Sequence, residues 1–219
     1  MMSEEMRGVL RLMIVAVALA CPALADQAAV NLNLADSVIW GNPQAGMSHG
    51  WEFTVNQSIE VTHLGMIDVG PAGYPPGLDQ DGFQLSHPLG IFRLSDGALL
   101  TQGAVSPGTG GELIGVFRYV PVPHVVLTPG ESYVMTMYSA TDAFPQVDFI
   151  SIWMSAISPA SDINYVVGRY GGPSGELKLP ESIHGLPNAF FGPNFLYVVP
   201  EPAGILLMVL AGMLVGRRR

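Results

Sequence analysis

The chain has 219 residues, room for one domain with short appendages. Nine basic residues against eighteen acidic ones give a net charge of −9, the wrong sign for a phosphate backbone, so nucleic-acid binding is excluded as a function class. An apolar content of 49% excludes a disordered chain, and glycines without a three-residue period exclude collagen.

The first segment, residues 1–25, reads as a signal peptide. Arg7 and Arg11 precede an apolar run from Leu12 to Ala20, too short to cross a ~30 Å hydrocarbon core as a helix. Ala23-Leu24-Ala25 then supplies a small-x-small cleavage pattern immediately before Asp26. A buried N-terminal helix is the competing reading. Lipidation of Cys21, after Ala18-Leu19-Ala20, is a second alternative, although a lipoprotein site usually carries a larger aliphatic residue where Ala18 stands, and Pro22 follows. Cleavage after Ala25 leaves no cysteine, so the mature fold must be held by its core.

Residues 26–197 form the body. Between Asp26 and Val199 stand four basic residues (Arg93, Arg118, Arg169, Lys178) and fifteen acidic ones, a net −11, so the middle is more acidic than the whole chain. Trp51-Glu-Phe-Thr-Val55 alternates strictly and predicts a strand with one face inward. Ile59 and Val61 begin another, and the phase slip to Leu64 and Met66 predicts a bulge or bend near His63. Further strands are expected over Pro88–Leu94, Ala98–Val105, Leu113–Val120, Ser132–Ser139, Val147–Met154, Asp162–Val167 and Phe195–Val198. Turn signals separate them: Asp81-Gly82, Asp96-Gly97, Pro107-Gly108, Pro129-Gly130 and Gly171-Gly172-Pro173. About eight to ten short strands, without repeats, argue for an all-β sandwich of jelly-roll or Greek-key type.

The last segment, 198–219, combines Val199-Pro200-Glu201-Pro202, a charge-free apolar run over 203–216, and Arg217-Arg218-Arg219. As a helix the run reaches roughly 21 Å at 1.5 Å per residue, short of a bilayer core. Snorkelling arginines let it act as a weak membrane stop, and they fix its orientation with the tail on the cytoplasmic side. This arrangement closely resembles the PEP-CTERM sorting signal of bacterial exported proteins. The resemblance implies recognition of Pro200, Glu201, Pro202 and the three arginines by an exosortase-type enzyme, which removes the tail and delivers the body to the cell surface or matrix. An uncleaved single-pass anchor is the alternative. A eukaryotic-type lipid-anchor signal ends apolar and does not fit; Leu179-Pro180-Glu181-Ser182 lacks the Thr-Gly of a cell-wall sortase site.

The body also looks like a domain common among such sorted proteins. Leu64-Gly65-Met66-Ile67-Asp68, His87-Pro88-Leu89-Gly90-Ile91-Phe92 and Ser95-Asp96-Gly97-Ala98-Leu99-Leu100 carry the likeness. Phe117-Arg118-Tyr119, Leu127 to Tyr133 and Phe191 to Phe195 extend it. It implies a fold and no defined reaction.

Candidates for chemistry are sparse. Asp79-Gln80-Asp81-Gly82 places alternate carboxylates before a glycine, so Asp79 and Asp81 are the metal candidates, and calcium there would brace a loop. The pattern lacks the rest of an EF-hand, and an acidic Asp-Gly turn is the competing account; no cofactor is expected. The five histidines (49, 63, 87, 124, 184) have no metal-ligand spacing, and no Gly-x-Ser-x-Gly elbow is present. Glu52 and Glu60 could form a glycosidase-like carboxylate pair, but both are expected as solvated charges on outer strand faces. Trp40, Trp51, Trp153, Tyr74 and Tyr170 are candidates for a sugar-stacking platform, with Trp51 assigned to the core and Tyr74 to an exposed loop.

The expectation is therefore a non-enzymatic exported surface or matrix protein, with an N-terminal signal helix and a short C-terminal membrane helix. Its partners would be signal peptidase, an exosortase-type enzyme and extracellular polysaccharide, with transient membrane contact. A carbohydrate-binding module and a secreted hydrolase remain the alternatives.

Overall fold

The computed structural model describes residues 25–32, 39–41, 46–68, 80, 82–139, 150–153, 157–185, 189–190 and 192–200. These form sixteen strands. The first five are β1 (Gln27–Ala28), β2 (Val30–Leu32), β3 (Ile39–Gly41), β4 (Met47–Val55) and β5 (Ile59–Ile67). Then come β6 (His87–Arg93), β7 (Leu99–Val105), β8 (Glu112–Ile114), β9 (Phe117–Leu127) and β10 (Ser132–Tyr138). The series ends with β11 (Ile150–Trp153), β12 (Ile157–Pro159), β13 (Ile163–Pro173), β14 (Ser182–Ile183), β15 (Ala189–Phe190) and β16 (Pro193–Val198).

All pairings are antiparallel. A six-stranded sheet runs β14-β13-β4-β10-β6-β7 and a five-stranded sheet runs β1-β16-β5-β9-β8; β15-β11-β3 and β12-β2 make two smaller sheets. Alternation explains how the two large sheets face each other. Trp51, Phe53 and Val55 of β4, Leu89 and Ile91 of β6, and Tyr133, Met135 and Met137 of β10 are buried on one sheet. Leu64 and Met66 of β5, Phe117 and Tyr119 of β9, and Phe195 and Tyr197 of β16 are buried on the other, all within one core. Trp51 stacks on Phe195 at 5.9 Å with planes 9° apart, and its indole Nε1 donates to the Pro193 carbonyl at 2.8 Å. The described residues are thus all-β and sandwich-like.

Polar groups within the core are tied to backbone. Asn194, fully buried, donates to the Val30 carbonyl and the Tyr119 hydroxyl while its oxygen accepts from the Val30 and Phe195 amides. Where β9 crosses to β10, the Tyr133 hydroxyl donates to the Thr128 carbonyl and accepts from its N–H, clasping the Pro129-Gly130 turn.

Most expected strands are present, and the bulge near His63 is too, as a register shift of β5 against β9 between Val61 and His63. Several expectations need correction. The single strand over Leu113–Val120 is instead two strands, β8 and β9, paired through a tight turn at Gly115, whose φ of +63° suits glycine. Strand β9 continues through Pro121 and Pro123 to Leu127. Pro123 falls in the stretch of β9 between Pro121 and Val125 where the register shift leaves no partner on β5, a place where a strand tolerates proline. Gly171-Gly172-Pro173 is not a turn between strands but lies inside β13, where a register shift absorbs it. Six further strands of two or three residues (β1, β2, β3, β12, β14 and β15) are not among those expected, because so few residues show no periodicity. The expected signal helix and membrane helix lie outside the described residues.

Two measurements follow from this core. Trp51→Phe keeps a ring against Phe195 but leaves the buried Pro193 carbonyl without its donor, so urea unfolding should register a loss of about 1–3 kcal/mol; an unchanged midpoint would remove the indole bond as a tie between the sheets. Burial also pushes the Tyr165 hydroxyl up to about 12 and raises those of Tyr119 and Tyr197, the last with help from the Asp162 carboxylate. A phenol whose folded pKa exceeds its unfolded value contributes stability that is complete below about pH 10 and lost as pH rises through the folded pKa. Unfolding midpoints should therefore fall steeply between about pH 10 and 12.

Candidate functional site

Strand β1 places the start of the body against its end. Gln27 pairs with Tyr197 and Ala28 with Leu196, so continuing the register sets Asp26 beside Val198. Asp26 accepts a 2.8 Å hydrogen bond from the Thr62 hydroxyl, and its second oxygen lies 3.7 Å from His63 Nδ1. Ala25 and Asp26 are exposed; Val199 packs on the core and Pro200 is half-buried. Both expected processing junctions therefore leave the same end of the five-stranded sheet from neighbouring strands. Ala23, Glu201, Pro202, Arg217, Arg218 and Arg219 lie outside the described residues.

At the opposite end, the loop expected to hold a metal is organised by an arginine. Arg118, on β9, pairs through Nε with the buried Asp68 carboxylate, and Asp68 accepts in turn from the Gly82 amide. The remaining guanidinium nitrogens donate to the carbonyls of Gln80 (2.7 Å), Thr109 (3.2 Å) and Gly111 (3.3 Å). One carboxylate and three carbonyls around a positive centre form the kind of oxygen cage that calcium loops use, here filled by a planar cation that directs five N–H groups. Asp79 and Asp81 lie outside the described residues. Among the described residues, no three His, Cys, Asp or Glu side chains converge as for a metal ion.

A third feature lies on the outer side of the six-stranded sheet. Tyr170 pairs with His49 and Pro173 with Met47, leaving Gly171 and Gly172 as a bulge without ladder partners. The chain then runs back over the sheet through Ser174 to His184. Lys178 N–H donates to the Ser48 hydroxyl at 2.9 Å, and Leu177 and Leu179 reach over Gly90 and Gly97. This strap encloses the Glu52–Arg169 ion pair (2.7 Å), whose arginine also donates to the Glu181 carbonyl. Between bulge and strap opens a cleft of about 340 Å³ lined by Ser48, the two glycines, Ser174, Lys178, Leu179, Glu181 and Ser182.

Other sequence candidates separate. Glu52 is buried and paired, contrary to the expected solvated position, because the strap covers its face of the sheet. Glu60 lies on β5 of the other sheet, 2.9 Å from His124 Nδ1, so the two carboxylates do not face one cleft. His63 pairs with Asp26 and Thr62, and His87 packs edge-on to Phe83; neither joins a second histidine. Trp51 is core, as expected. Trp40 and Trp153 belong to the small sheet on strands β3 and β11, Tyr74 lies outside the described residues, and Tyr170 is half-buried against His184. The cleft residues were not anticipated. The signal available was the Gly-Gly-Pro run adjoining a strand pattern, which marks a bulge as readily as a turn.

In comparisons with protein-family models and with curated proteins, the chain matches none.

Removing the guanidinium would leave Asp68 charged, buried and unpaired. Arg118→Ala should destabilise the body by about 3–5 kcal/mol in urea, and Arg118→Lys should recover only part, because an ammonium cannot reach all four oxygens. Full recovery by lysine would show that charge alone, and not the donor fan, holds these loops.

Proposed function

We propose that this is an exported surface or extracellular-matrix protein, non-enzymatic, sorted through a PEP-CTERM tail. Its body would be a jelly-roll or Greek-key sandwich over 26–197. A signal helix over 1–25 would lead it, and a short membrane helix over 203–216, closed by Arg217–Arg219, would follow it. Calcium at Asp79 and Asp81 is not required by this reading, since Arg118 already organises the neighbouring carbonyls.

The observation that supports it best is the position of the two junctions. Strand β1 begins two residues after Ala25, and β16 ends two residues before Pro200, so a complete sandwich fits between the expected cuts. Strand β16 is paired on both sides, by β1 and β5, so the last strand before the expected cut is held by the body itself. Both ends share one pole, so a body held at its C-terminal helix would keep the exit strand nearest the membrane, within reach of a membrane-embedded processing enzyme.

The surface charge fits an extracellular setting. Each of the four cations in the body is matched to a carboxylate: Arg93 with Asp96, Arg118 with Asp68, Arg169 with Glu52 and Lys178 with Glu176. The remaining carboxylates leave the body net negative, suited to solubility and to counter-cations in a polymer matrix. A carbohydrate-binding module is the second reading, favoured by the cleft under the strap.

Intact-mass measurement on protein from its native host should show a chain beginning at Asp26 and lacking the residues that follow the Pro-Glu-Pro. A mature extracellular form that retains Arg217–Arg219 would overturn the sorting reading.

A further inference from the structure

The cleft under the strap has a donor and acceptor pattern that selects its ligand. Gly171 and Gly172 stand at a register shift of β13 and carry no side chain, and a Cβ at Gly172 would meet nothing within 4 Å, so an approaching molecule can come close to the backbone there. Ser174 already gives its proton to the Glu176 carbonyl at 2.6 Å, leaving its oxygen as an acceptor. Lys178 Nζ lies 3.1 Å from Glu176 Oε1 and retains further N–H groups, while the exposed Glu181, also lining the cleft, supplies acceptors. Leu179 adds an apolar wall.

This mixture discriminates between ligand classes. An anion would meet Glu181 as well as the ammonium, and a cation would meet Lys178, so neither finds a site of one sign. A neutral polyhydroxylated molecule, whose hydroxyls both donate and accept and whose C–H faces are apolar, matches every wall. The volume of about 340 Å³ sits at the small end of ligand pockets and suits one or two sugar units.

We propose that this cleft binds a neutral saccharide, a short stretch of one or two residues within an extracellular polymer. The chemistry stands on the cleft alone; only the source of the sugar, a matrix polymer, rests on the exported-protein reading. The site does not use an aromatic platform, and its weak, hydroxyl-rich contacts suit a component that holds polymer reversibly.

The test is calorimetric titration of the full chain, kept in a detergent without a sugar headgroup, with cellobiose, maltose and N,N′-diacetylchitobiose. At least one should bind, and Gly172→Leu, which fills open space, should weaken that binding about tenfold or more while leaving the unfolding midpoint near wild type. Val126→Thr, an exposed change on the other sheet, should bind as wild type does. Absence of binding by all three sugars would overturn the proposal. So would full binding by Gly172→Leu, or displacement of the sugar by equimolar calcium or acetate, which would mark an ion site. Failure here leaves the mass measurement untouched, and failure of the sorting reading leaves this titration untouched.

Discussion

The fold depends on one strand being covered from three directions. β16 lies between β1 and β5 within its sheet, and its inner face receives Trp51 from the opposite sheet. Phe195 is the ring on which Trp51 stacks and Phe53 tilts, and Asn194 binds the backbone of Val30 and the hydroxyl of Tyr119. A strand from the end of the body therefore completes contacts made by segments more than a hundred residues earlier. Such long-range closure makes the sandwich cooperative, because neither large sheet buries its face until the last strand is in place.

Electrostatics divides the molecule between interior and exterior. Two arginines are spent inside, Arg118 fastening three loop carbonyls and Arg169 joining β13 to β4 beneath the strap. Breaking either pair would strand a buried charge, so they act as specific pins for loops that the apolar core does not reach. With its cations committed in this way, the body between Asp26 and Val199 is left with a net charge of −11. The exposed Asp96 carboxyl shows the same economy: Arg93 and then the Ala98 amide hold its pKa below the usual value.

These features arrange the sandwich by pole. One end carries Asp26, Val199 and the turns at Asn56, Thr128 and Asp162; the other carries the Arg118 loops. The cleft lies near the second end, on the outer side of the six-stranded sheet, away from the strand that leads toward the tail.

Much of this was legible in the residues themselves. Strict alternation in Trp51–Val55 determined which side of β4 is core, because a strand has only two faces, and the phase slip at His63 marked a bulge. The apolar ends flanked by arginines, and the acidity of the middle, needed only composition. Other features depended on partners distant in sequence. Whether Gly171-Gly172 turns the chain or bulges within a strand was settled by the register of β13 against β4, and whether Glu52 is solvated by a strap some 120 residues later. Gln80 lies in an oxygen-rich loop in either case, but only the fold brings Arg118 to its carbonyl. Local periodicity decides which face of an element is apolar. Which polar groups meet behind that face is decided by long-range pairing, and so the cleft belongs to the tertiary structure alone.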